Sequence, residues 1–181
     1  MTGGLIILVV IGGIAWWLFS PLVVHTTGSA TNPFAKATSA PHAPAPTSTA
    51  NIAPTPVGPV ILATGKFIDK PNSGVGLAND RGSGNVTIGR TTDAKYIIYL
   101  DNLDVTNGPD LHVYLAPTSN ASDAEQVKRE GTDLGILSAT QGSVNVPIPA
   151  DLAPQLTKFH SVVIVCKTFS VIFTTAPLVF S

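Results

Sequence analysis

From Val60 onward the chain alternates apolar and polar positions in short runs, each closed by Gly, Asn, Asp or Pro. Period-two alternation bounded by turn residues is the signature of half-buried strands. Eight stretches fit it: VILATGKFI at 60–68, GNVTIGR at 84–90, KYIIYLDNL at 95–103, DLHVYLA at 110–116, DLGILSA at 133–139, GSVNVPIP at 142–149, SVVIVCK at 161–167 and VIFTTAPLVF at 171–180. Alternation also assigns faces. Tyr96, Ile98 and Leu100 share one, as do Leu111, Val113 and Leu115, with His112 and Tyr114 opposite. Val162, Ile164 and Cys166 share another, so Cys166 is expected to face the core and Lys167 to point away. Many short strands of this kind specify an all-β fold, a sandwich or barrel, and an antiparallel β-sandwich of about eight strands is expected. The one helical stretch, Ala121 to Glu130 with Gly131 as its stop, reads as a short surface helix or turn between strands.

The pattern is different before Val60. From Gly3 to Val24 no side chain is charged, which matches the roughly 20 apolar residues that span a bilayer. A cleaved signal peptide is the alternative, with Gly28 to Ala30 as the cleavage site, but the long apolar run and the lack of a basic leader favour a retained anchor over residues 1–25. Thr26 to Pro59 is dominated by Pro, Ala, Thr and Ser and is expected to be a disordered linker. A linker of that length places the following domain, residues 60–181, clear of a membrane on the extracytoplasmic side. Lys36, the nearest basic residue, lies on the C-terminal flank and argues weakly for the reverse orientation.

Ten basic and eleven acidic side chains give a net charge of −1, so no strong field invites nucleic acid. Cys166 is the chain's one cysteine, which rules out an intrachain disulfide. It also lacks companions for most metal chemistry. A blue-copper site needs two histidines and usually a methionine near the cysteine, and no His follows Cys166. Zinc, iron–sulfur and c-type haem sites need further cysteines or a CxxCH run. A hydrolase needs a base beside the thiol, but His112 points to the other face of its strand and His160 precedes the Cys166 strand. The Gly-rich run at 72–89 lacks a phosphate-loop lysine and reads as a loop or hairpin. Asp101, Asp104, Asn107 and Asp110 are acidic and turn-forming without calcium-loop spacing, so they read as turn chemistry and no metal site is assigned.

Four stretches together resemble one family. GKF at 65–67 with GSGNVTI behind it, NGPDLHVYLAP at 107–117, LGILSATQGSVNVPIP at 134–149 and VVIVCKTFSVIFTTAPL at 162–178 are similar in order and spacing to the DM-thirteen domain, the electron-transfer DM-thirteen family. The resemblance runs from Gly65 to Leu178. It implies electron transfer or oxidative modification at the cell surface, with Cys166 as bare thiol or as the ligand of a prosthetic group such as haem, and a redox partner protein there. The family's basic residue after the cysteine falls on Lys167, its aromatic pair on Phe169 and Phe173, and its turn motif on Asn107, Gly108, Pro109, Asp110 and Leu111. Val165 stands where members often carry Trp, which counts against a role needing an aromatic neighbour there. Read from the residues alone, Phe169 and Phe173 are packing residues.

Two functions follow. One is a membrane-tethered redox module acting through Cys166. The other is a cell-surface binding or adhesion domain in which Cys166 is a small buried hydrophobe, as cysteines often are.

Overall fold

The computed structural model describes residues 25–35, 58–69 and 81–181. The expected span at Gly3 to Val24 falls wholly outside them, as does most of the expected linker. Among the described residues no helix is long and apolar enough to cross a membrane.

All eight expected strands form. They are β2 (Val60–Lys66) with its short continuation β3 (Ile68–Asp69), β4 (Gly82–Arg90), β5 (Tyr96–Val105), β6 (Leu111–Ala116), β7 (Thr132–Ile136), β8 (Gln141–Ile148), β9 (Ser161–Cys166) and β10 (Val171–Phe180). A further strand, β1, covers Thr27–Ser29. The expected helix is confirmed in shorter form as α1 (Ala124–Glu130). Asp123 caps it by accepting the N–H groups of Glu125 and Gln126, and the Gly131 N–H closes on the Val127 carbonyl. Glu125 in its first turn and Lys128 and Arg129 in its last oppose the helix dipole favourably. A 3₁₀ helix at Ala150–Lys158 joins β8 to β9.

The all-β class holds, but the two separate sheets of a sandwich do not form. The strands make one curled sheet in the order β1-β8-β5-β4-β2-β10-β9-β6-β7, with β3 also on β10. The long strand β10 is responsible. Val171 to Pro177 pair with β9, Thr174 and Thr175 also with β3, and its last residues, Leu178 to Phe180, pair with β2. A strand that serves two neighbours at its two ends turns what would be two layers into two halves of a single sheet, and bulges in β2, β4, β5 and β10 supply the bend. Buried Thr174 pins the fold of this strand, with its hydroxyl 3.0 Å from the carbonyl oxygens of both Ile68 and Gly82.

The halves close on one core. Val86, Ile88, Ile98, Leu100, Val144 and Val146 from one side meet Leu111, Val113, Leu115, Val162, Ile164, Cys166 and Phe173 from the other. The outer face of β6, β9 and β10 is covered as well, by Ala124 and Val127 of α1 lying on Tyr114, Val163, Val165 and Ile172. Burial on both faces explains why SVVIVC is a continuous apolar run rather than an alternating one.

The expected linker is corrected at its start. Thr27, Gly28 and Ser29 pair in parallel with Gln141, Gly142 and Ser143, the one parallel ladder among the described residues. Glycine permits it: Gly142 has φ +90°, and a Cβ on it would strike the Gly28 carbonyl. Asn145 Nδ2 then donates to the Thr31 carbonyl at 3.2 Å, and Phe34 packs on the bare backbone of Gly89. Composition alone missed this because backbone hydrogen bonds, not large apolar side chains, do most of the holding.

Candidate functional site

Cys166 ends β9 and faces Leu111 of β6 on one side and Val171 of β10 on the other. It is core-facing as its alternation predicts, and only 1% exposed. Its Sγ–H donates to the Pro109 carbonyl at 2.9 Å, which requires the proton on sulfur. Pro109 belongs to the Asn107–Asp110 turn between β5 and β6, so that turn is the lid over the thiol. Gly108 lets it sit close, since a Cβ there would lie 2.8 Å from Phe173 Cζ and 3.1 Å from Leu111 Cδ2.

That closeness decides the fit of a haem. A thiolate-ligated macrocycle needs an open face beside sulfur, and here Cys166 is buried beneath the Pro109 carbonyl with Leu111 beside it in the ladder. The residues around Sγ do not fit such a group.

The lid is held imperfectly. Asn107 Oδ1 accepts from the buried Thr140 hydroxyl at 2.8 Å, but Asn107 Nδ2 is buried with no hydrogen-bond partner among the described residues. An orphaned buried donor costs about 1–3 kcal/mol. The closed lid therefore carries a penalty that an open one, with Asn107 in water, does not.

His112 stands beside Val165, not Cys166, in the β6–β9 ladder, so the two lie on opposite faces of the sheet and cannot form a base–thiol pair. Exposed His160 precedes β9 and lies at the far end of that strand from the thiol. His112 instead joins a polar cluster on the outer face. Its Nδ1 is 2.9 Å from Asp133 Oδ1 and its Nε2 is 3.1 Å from Asp110 Oδ1. Lys167 Nζ donates to Asp133 Oδ2 at 3.0 Å, and the Tyr114 hydroxyl donates to the same oxygen at 3.2 Å. Burial pushes the Asp133 carboxyl up, but hydrogen bonds from His112, the Gly135 backbone and Lys167 outweigh it and bring the group down to about 2. Burial and the neighbouring Asp133 carboxylate push the Tyr114 hydroxyl up to about 12. Asp133 is the hub of this cluster and no sequence signal marked it, because its partners come from strands far away in the chain.

Lys167 is thus drawn to Asp133 and not to the thiol beside it. The family's aromatic pair divides: Phe173 packs in the core, while Phe169, expected to pack, is 62% exposed in the turn after Cys166. The acidic and turn residues disperse to separate partners. Asp101 accepts from Ser143 and Asn102, Asp104 from Gln141, and Asp110 faces His112. Among the described residues no group of three or more His, Cys, Asp or Glu side chains could hold a metal ion.

No curated protein and no solved structure matches the chain. A family model does: the one described as Electron transfer DM13 matches residues 77–178, more than half of the chain and every element that surrounds the thiol. This chain belongs to the electron transfer DM13 family.

Proposed function

We propose that this chain is a membrane-tethered, extracytoplasmic redox module whose working group is the Cys166 thiol, exposed when the Asn107–Asp110 lid opens. The observation that carries this reading is the pairing of a shielded thiol with a lid whose buried Asn107 Nδ2 has no partner among the described residues. A buried cysteine that served only as core filling needs no such arrangement over it. The apolar stretch Gly3 to Val24 supplies the anchor.

The chemistry follows from having one cysteine. Once the lid is open, the Cys166 proton leaves to water and the thiolate attacks a disulfide of a partner protein at the cell surface. A new S–S bond joins Cys166 to one partner sulfur, the old bond breaks, and the other partner sulfur departs as thiolate. A further thiol attacking the partner's sulfur in the mixed disulfide returns Cys166 to its reduced state. The second reading, a binding domain with Cys166 as filler, is favoured by the thiol's near-complete burial.

Thiol kinetics on the native full-length chain separate them. With an excess of an aromatic disulfide reagent, a lid-gated thiol reacts at a rate that plateaus as reagent rises and far exceeds the rate of global unfolding. A thiol that reacts only as fast as the protein unfolds sinks the redox reading.

A further inference from the structure

The strands around the thiol all end at one rim of the curled sheet. β9 finishes there at Cys166, opposite the starts of β6 at Leu111 and β10 at Val171. β5 finishes there at Val105 opposite Gly82, and β8 starts there, with Gln141 opposite Asp104. Because β1 runs parallel to β8 with Thr27 on Gln141, the described chain begins at this same rim. Thr26 is fixed on it: its carbonyl accepts from Thr140 N–H at 2.9 Å and Gln141 N–H at 3.0 Å. The uncharged stretch ends at Val24, and two residues of extended chain reach at most about 7 Å.

The rim also carries exposed apolar side chains. Phe169, in the turn after Cys166, is 62% exposed, and Ile136, the residue of β7 that pairs with His112, is 72% exposed. Beside these tips Lys167 pairs with Asp133, and the His112 ring lies between Asp133 and Asp110. A surface of apolar tips whose Lys167 is already paired with a carboxylate suits a zwitterionic lipid headgroup layer and makes no demand for anionic lipid.

We infer that the Cys166 rim faces the bilayer and that Phe169 and Ile136 insert into its headgroup layer, so that the partner disulfide reaching Cys166 is one carried at the membrane surface. This rests on reading Gly3 to Val24 as a membrane span. A disordered linker beginning at Thr26 would leave the domain free to turn. Docking of residues 26–34 along β8 and onto Gly89 removes that freedom and fixes which end is nearest the membrane.

The test uses the full-length chain reconstituted in phosphatidylcholine vesicles. Flotation of the vesicles on a density gradient reads the span alone. Replacement of Phe169, Ile136 or Val179 by the photoreactive benzoylphenylalanine then reads the rim. Val179 is the control, apolar and 70% exposed but about 25 Å along β10 from the rim. All three positions are exposed, so the replacements leave the core intact. The expected result is several-fold more lipid adduct at positions 169 and 136 than at 179, with Cys166 untouched. A chain that floats but gives equal adducts at all three overturns the rim inference and leaves the span standing. A chain that fails to float overturns both.

Discussion

Leu111 and Cys166 face one another across the β6–β9 ladder, and their side chains share the closed side of the sheet. The same register sets His112 against Val165 on the opposite face. One residue of slip would reverse the arrangement and put an imidazole beside the thiol. The register therefore separates the two groups a cysteine hydrolase would bring together, and leaves the thiol with a backbone carbonyl as its partner.

Cys166→Ala removes the sulfur from a filled site and leaves the Pro109 carbonyl without the thiol proton. The expected loss is about 1–2 kcal/mol of unfolding free energy, read from urea denaturation midpoints. Cys166→Ser keeps a donor for that carbonyl while placing a hydroxyl in the apolar core. It should abolish native thiol reactivity without abolishing the fold.

Thr140→Val removes the hydroxyl that donates to Asn107 Oδ1, leaving both ends of that amide without a protein partner. Stability should fall by about 1–3 kcal/mol. If the lid gates the thiol, Cys166 should also react several-fold faster than in the parent chain. An unchanged plateau rate would show that opening does not pass through Asn107.

Gly142→Ala forces a side chain into a φ of +90° and against the Gly28 carbonyl. The expected outcome is loss of the β1 contact, with early protease cleavage near residues 25–35 while the rest of the sheet stays protected. Uniform proteolysis of the whole domain would mean that β1 is integral to the sheet's stability.

Asp133 titrates near 2 in the folded protein, below its ordinary 3.8. A carboxylate held down in this way contributes stability that is complete above the ordinary value and lost as pH falls from about 4 to about 2. Tyr114 is raised from 10.0 to about 12, so its contribution is present below about pH 10 and lost as pH rises towards 12. Melting temperatures of the parent and Asp133→Asn should differ at neutral pH and converge near pH 2. A constant difference across that range would show that the Asp133 charge is not what its partners stabilise.

Several features of the site could be read from the chain directly. Alternation placed Cys166 inward and His112 outward, because side chains on a strand change sides at each residue whatever the strand's neighbours are. The turn residues of Asn107–Asp110 marked a turn, yet nothing local said that Pro109 would meet a sulfur 57 residues later. Asp133 looked like an ordinary polar strand position until β6 and β9 brought His112, Tyr114 and Lys167 to it. Phe169 and Phe173 looked alike, but one sits on the strand and the other on the turn before it, where no layer covers it.

The sequence by itself determined eight of the strands, their faces and the short helix at Ala124–Glu130, since periodicity, turn chemistry and capping act within a few residues. The order of those strands lay beyond it. The tertiary structure decided that β10 joins both halves into one curled sheet, that Thr27–Ser29 docks on β8, and that the thiol lies under the Asn107–Asp110 turn. Each depends on pairing between segments distant in the chain, and backbone hydrogen bonds between strands leave little trace in the residues that make them.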